Sequence, residues 1–545
     1  MSQTTLPSAG RSDDVEVPAP EAPARPSAVG ARSPTLTAVA LPLAALTIVS
    51  LALRLPGMGI SMWIDEGLSV GIASRPWSEI PGVLVRDGSP PLYYLALHGW
   101  MEVFGRSVEA VRALSLVFAT ITVPVAFWAG DRLFGRRSGW IAAVLAASSS
   151  YLTVYAREGR MYSLMVLLTL VCVTAFVRAV ALGHRRSLPV FVVALALLLY
   201  THNWGLYVGV GLALAAVVGK RLTSGDDGIT WKALSVSFGA VALLYVPWLP
   251  TLAAQAAHTG APWSAKPDLG DLVGVIPTVI GDRAAGLVLL VTAVPALAAV
   301  VRVRSAPGRV IAVLSAVALG SLLVAWVASQ LEPAWASRYL GIVLAPVLLV
   351  AAAGLALDGK RGVLALGVVA LLWVDVGDRV GLFGPPSIPR KSNVGPATTV
   401  VDDLLEPGDV VVSTHMEQVP LLRYYLGDDL RYADPLGLVD DPQVVDWRDA
   451  LARVEAATPE QGLVPLVDDM AEGDRLVLAC ARLSPTSDKA RLRLPWFKAM
   501  VRNCTEWRST LDADPAMELV KGPVAPPPRQ ASGSSMFLLV YEKHR

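Results

Sequence analysis

Met62-Trp63-Ile64-Asp65-Glu66-Gly67 sets two adjacent carboxylates a few residues beyond the first long apolar run of the chain, Leu36 to Leu55. Ionised groups beside hydrocarbon are costly, so acids in such a place are function candidates first. The chain around them has 545 residues, 54% hydrophobic and only 17% charged. That balance excludes an ordinary soluble domain and points to a polytopic membrane protein. A net charge of +1 offers no field for nucleic acid. The three cysteines lack metal-ligand spacing. Cys480 and Cys504 can form a disulfide only if the polar C-terminal part lies outside the cytoplasm.

The first 36 residues are rich in Pro, Ala, Ser and charge and read as a disordered cytoplasmic tail. Leu36 to Leu55, followed by Pro56-Gly57, reads as a retained first span rather than a cleaved signal. Further apolar runs lie near 108–131, 138–155, 161–182, 188–201, 204–219, 233–253, 271–301, 309–329, 338–357 and 361–382. Together they predict about eleven transmembrane helices. The two runs between Leu188 and Gly219 are short, and one interrupted helix is the alternative. Positive charge decides between them. With a cytoplasmic N-terminus and separate spans, Arg132/Arg136/Arg137, Arg185/Arg186, Lys220/Arg221, Arg302/Arg304/Arg309 and Lys360/Arg361 all fall on the cytoplasmic side.

The same threading puts the long first loop (56–107), Tyr155 to Arg160, Thr201-His202-Asn203, 254–270 and Glu332 to Arg338 on the outer face. Residues 37–385 read as the membrane module and 386–545 as an extracytoplasmic domain. In the latter, Glu406-Pro407-Gly408-Asp409 precedes Val410-Val411-Val412, and Asp474-Arg475 precedes Leu476-Val477-Leu478. Short apolar strands after turn residues, alternating with polar helical stretches such as 441–456, predict a small α/β domain.

Four polar clusters gather on the outer face. Asp65 is either an N-cap or salt-bridge partner, or a base that accepts a proton from an attacking hydroxyl. The double proline Pro90-Pro91 opens a helix whose Tyr93 and Tyr94 either shape the loop or touch substrate. Arg157-Glu158-Gly159-Arg160-Met161-Tyr162 is either an ion-pair knot or a fork of donors for a phosphate. His202 is a packing residue or a ligand contact, and Arg338-Tyr339 an interfacial anchor or part of the site.

Asp65-Glu66, Pro90-Pro91-Leu92-Tyr93-Tyr94, the Arg157 to Tyr162 run, Thr201-His202 and Arg338-Tyr339 together resemble the glycosyltransferase C superfamily. The likeness is to the branch of protein O-mannosyltransferases and the aminoarabinose and galacturonic-acid transferases of lipid A (families 39 and 83), over roughly residues 37–385. The resemblance implies a multi-pass plasma-membrane enzyme that moves a sugar from a polyprenyl-phosphate donor to an acceptor hydroxyl on a protein, lipid or wall glycan, with inversion. It makes Asp65 the general base, with Glu66 and Glu158 as further acidic site residues. Arg157, Arg160 and Arg338 become candidates for the lipid phosphate, with Tyr93, Tyr94, Tyr162, His202 and Tyr339 around the substrate. Some relatives use a divalent cation such as Mg or Mn, which Asp65 and Glu66 could hold. A transporter or flippase of lipid-linked sugars and a non-catalytic envelope assembly protein are the competing classes.

Overall fold

The computed structural model describes residues 1–5, 36–223, 229–302, 305–374, 391–483, 488–525 and 535–544. The expected disordered tail, Arg304 and the expected junction at 385/386 lie outside the described residues, apart from the tail's two ends. The chain divides into Met1–Pro42 and Leu43–Arg545. The first holds the start of helix α1 (Leu36–Arg54), and the second contains the helices and sheet described below.

The first loop folds into three short helices, α2 (Ile64–Ala73), α3 (Ile80–Asp87) and α4 (Leu92–Phe104). Pro91 stands at the cap of α4, so the prolines lie just outside that helix rather than in its first turn. The Leu92 amide donates to the Tyr200 carbonyl, which ties α4 to a distant turn (2.9 Å). The membrane layer then runs through α5 (Val108–Phe134), α6 (Arg136–Ser148), α7 (Ser150–Ala156), α8 (Tyr162–Val180), α9 (Leu188–Leu199) and α10 (Gly205–Leu222). It continues with α11 (Trp231–Tyr245), α12 (Leu249–His258), α13 (Leu269–Val273), α14 (Val275–Ile280), α15 (Arg283–Val301), α16 (Ala306–Leu331), α17 (Gly341–Leu357) and α18 (Gly359–Val374).

Among the described residues six helices are long and apolar enough to cross a membrane, seven if α6 and α7, bent by 48° at Ser149, count as one. Helices α1, α9, α15 and α18 supply the other four apolar runs. Thr201-His202-Asn203 forms a turn between two separate helices, as the charge pattern requires. One run is corrected. Residues 271–301 break at Gly281, whose φ of 81° ends α14, and the long helix of that run starts only at Arg283.

The C-terminal sheet has the order β3-β2-β1-β4-β6-β5. Strand β1 (Val410–Ser413) pairs in parallel with β2 (Arg431–Asp434) and β4 (Arg475–Ala481), Val411 lying opposite Tyr432 and Val477. The edges are antiparallel: β3 (Gly437–Leu438) on β2, β6 (Met536–Lys543) on β4 and β5 (Met517–Val524) on β6. β1 is buried along its length, which explains its continuous apolar sequence. The expected helix over 441–456 is confined to Ala450–Ala456, because Asp441 and Asp446 hold the preceding residues in turns through backbone amides. Cys480 on β4 and Cys504 on the helix Pro495–Ala513 form a disulfide.

Sheet domain and membrane helices share one continuous apolar core, which takes in Leu97, Val173, Leu421 and Val477 alike. Helix α2 is the joint. Gly67 and Gly71, four residues apart and so on one face, lie against Leu421 and the Gln443 carbonyl with no room for a side chain. Gly71→Ala is expected to lower the melting temperature of the purified protein, since overpacking costs about 1–3 kcal/mol. Gly82→Ala meets open space on α3 and serves as the control; equal melting temperatures for the two would refute the close packing.

Candidate active site

Helix α2 is oriented by its buried glutamate. Glu66, fully buried, receives the Arg112 guanidinium in a two-pronged contact, Nε to Oε1 at 2.7 Å and Nη2 to Oε2 at 2.6 Å. The Gly159 amide donates to Oε1 (2.8 Å) and the Trp63 amide to Oε2 (3.3 Å). Arg112 also donates to the Met58 and Ile60 carbonyls, gathering in the chain before α2. Neighbours on a helix point about 100° apart, so fixing Glu66 toward α5 turns Asp65 to a different face.

On that face Asp65 meets two guanidinium groups. Its Oδ2 lies 3.6 Å from Arg338 Nε and 4.0 Å from Arg160 Nε. Arg160 is held by donation to Ser69 Oγ, Tyr94 Oη and the Asp65 carbonyl. Arg338 sits over the rings of Trp263 (4.6 Å), Tyr339 (5.1 Å) and Trp63 (5.7 Å). Aromatic faces attract a guanidinium while leaving its hydrogen-bonding edge available. These groups open onto a cavity of about 370 Å³ whose wall includes Asp65, Asp87, Arg160, His202, Arg338 and Tyr339. The polar groups therefore cluster at one end of the helices rather than midway along them.

His202 lies in the turn between α9 and α10, its ring 4.7 Å from that of Tyr339 and tilted to it by 58°. The Trp204 amide donates to its Nδ1 (3.1 Å), which leaves Nε2 as the protonated nitrogen of a neutral ring. Burial, then Arg160 and Arg338, push its pKa down to about 3. Burial raises the carboxyl of Asp87 against the pull of Arg160. Glu158, raised by burial against Lys391, pairs with Lys391, whose ammonium stands 4.4 Å from the Trp63 ring.

The other expected residues stand behind the cavity wall. Tyr93 bonds Ser115 Oγ (3.0 Å), and Tyr94 supports Arg160. Tyr162 is buried against Tyr155 and His202. Arg157 turns away, donating to the Arg54 and Leu53 carbonyls at the end of α1. Arg112, Asp87, Trp263 and Lys391 were not expected in the site. A lone arginine inside the apolar run 108–131 is a signal of its own, whereas nothing near Lys391 in the sequence marks it.

The pair Asp65 and Glu66 does not suit a cation. Glu66 spends both oxygens on Arg112 and two amides, and Asp65 faces two guanidinium groups. Among the described residues no group of three or more His, Cys, Asp or Glu is placed to hold a metal ion.

Residues 88–249 match the family model described as dolichyl-phosphate-mannose-protein mannosyltransferase. No curated protein matches the chain. Among solved structures, ArnT from Cupriavidus metallidurans in the apo state is 14% identical, with a TM-score of 0.59 over 92% of this chain and 98% of that one. The same protein bound to undecaprenyl phosphate aligns at 14% identity and TM-score 0.58, over 93% and 98% of the two chains. The archaeal oligosaccharyltransferase AglB from Archaeoglobus fulgidus, in complex with an inhibitory peptide and a dolichol-phosphate, aligns at 10% identity and TM-score 0.50, over 80% and 68%. The chain has the glycosyltransferase C fold. It is a multi-pass membrane protein with a C-terminal sheet domain.

The neutral His202 gives an acid-side signature. An unfolded histidine titrates near 6.5, so between about pH 6.5 and 3 the unfolded chain binds more protons and stability falls as pH drops. Melting temperatures are expected to fall on acidification from about pH 7 to 5, and less steeply in His202→Gln. The difference is at most about 1.4 kcal/mol per pH unit; parallel slopes would remove His202 as the cause.

Proposed function

We propose that this protein is a glycosyltransferase that moves a sugar from a polyprenyl-phosphate donor to an acceptor hydroxyl, with inversion and with Asp65 as the general base. The observation that carries the reading is the convergence of the Asp65 carboxylate and two guanidinium groups on a single cavity wall. The acceptor oxygen forms a bond to the anomeric carbon and its proton passes to Asp65. The bond from that carbon to the phosphate oxygen breaks, and the prenyl phosphate leaves with its added charge met by Arg160 and Arg338. His202 offers Nε2–H to an oxygen of the donor. Glu66 and Glu158 position the loops that carry Asp65 and Arg160, by way of Arg112, Gly159 and Lys391.

The undecaprenyl phosphate of the ArnT complex and the dolichol-phosphate of the AglB complex support a prenyl-phosphate donor here too. The cavity faces the outside of the plasma membrane in this reading. The basic clusters stand at the helix ends away from it, and the Cys480–Cys504 disulfide suits an oxidising compartment.

Replacing the base tests the proposal. With a polyprenyl-phosphate sugar and reconstituted membranes, Asp65→Asn is expected to lose about 10²–10⁴-fold in transfer rate. Binding of the prenyl phosphate should persist in that variant and weaken in Arg338→Ala. Transfer at the parent rate by Asp65→Asn would end its assignment as base.

A further inference from the structure

The same helices that carry the cavity at one end carry a second one at the other. Arg160 precedes α8, and Arg178 lies in its last turn. Eighteen residues of rise separate them, about 27 Å along the axis, close to the thickness of a bilayer's hydrocarbon. Around Arg178, α5 at Trp128 and the turn from α8 into α9 border a half-open cavity of about 550 Å³. Its polar wall is Arg178, His184, Arg185, Arg186 and Ser187, and Trp128 closes its apolar side. Among the described residues no aspartate or glutamate lines it.

The cavity is built for negative charge. Arg132 on α5 adds a further positive charge near Arg178. Arg178 Nε is buried without a hydrogen-bond partner among the described residues. The turn is folded back firmly: the His184 amide donates to the Arg178 carbonyl (2.9 Å), and His184 Nδ1 meets the Leu182 carbonyl (2.9 Å). An indole at the end of a span is a headgroup-level group. Basic pockets between transmembrane helices at this depth are suited to lipid phosphates.

We propose that this cavity binds the phosphodiester headgroup of an anionic phospholipid from the leaflet opposite the catalytic cavity. Its arginines hold the phosphate, and Trp128 packs against the glycerol and upper acyl chain. The site is independent of the sugar-transfer reading and stands or falls without it.

The full chain, purified in detergent, is titrated with phosphatidylglycerol or with phosphatidylcholine, and bound lipid is read by native mass spectrometry. Phosphatidylglycerol is expected to be retained preferentially. Arg178→Gln/Arg186→Gln is expected to lower that retention about tenfold, and Arg186→Gln alone, at an exposed position, by a smaller factor. Lys360→Gln/Arg361→Gln removes the same charge from another basic turn and is expected to leave retention unchanged. An equal loss in both double variants would reduce the effect to a diffuse field and overturn the site. Displacement of the lipid by millimolar inorganic phosphate would overturn the lipid as its source. Equal retention of both lipids by the parent protein would overturn it as well.

Discussion

The Glu66–Arg112 pair is the contact on which the site depends. A buried ion pair gives little net stability, because removing two charges from water offsets their attraction. Its effect here is geometric. One carboxylate is shared among a guanidinium on α5, the amide of Gly159 and the amide of Trp63, so three segments from different parts of the chain meet at two oxygen atoms. The first loop could drift across the membrane surface without it. With it, the backbones at Asp65 and at Arg160 are drawn together, since Glu66 follows Asp65 and holds the amide of Gly159, which precedes Arg160.

The carboxyl-terminal domain belongs to the same construction. Its helix Val419–Leu426 lies on the glycine face of α2, and the Tyr425 hydroxyl accepts from the Met62 amide (2.8 Å). Lys391 reaches back to Glu158 and to the Trp63 ring, whose surroundings also include Arg338. Trp63 thereby links the electrostatics of the cavity to the sheet domain, which also reaches the cavity wall directly through Trp447.

The sequence showed the membrane layer well because hydropathy and basic clusters are local signals. The split between α9 and α10 was legible from the arginines downstream of it. Asp65, Arg160, His202 and Arg338 were legible because polar residues at span ends are rare enough to notice. The break at Gly281 was not, since Val275–Ile280 is as apolar as the helix after it and only the left-handed glycine separates them. Glu66 and Asp65 looked like twins in the sequence, yet one is buried in a clamp and the other faces the cavity. Helical phase relative to α5 decides that, and no single segment contains it. Lys391 lies 233 residues from Glu158, a pairing that needs the tertiary fold.

Helix length fixes where the chemistry stands. Tyr162–Val180 carries Arg178 as its one charge, in the last turn, and Arg160 precedes the first turn. A span bounded in this way cannot slide along the membrane normal without drawing a guanidinium into hydrocarbon, which is costly. The cavity end of α8 is therefore held at the depth of the lipid headgroups. A prenyl phosphate keeps its charge at that same depth while its tail stays among the acyl chains. In the proposed function, donor and arginines are thus brought level by the bilayer itself, and the protein has only to supply the lateral position, the part that reading gives to the Asp65, Arg160 and Arg338 cluster.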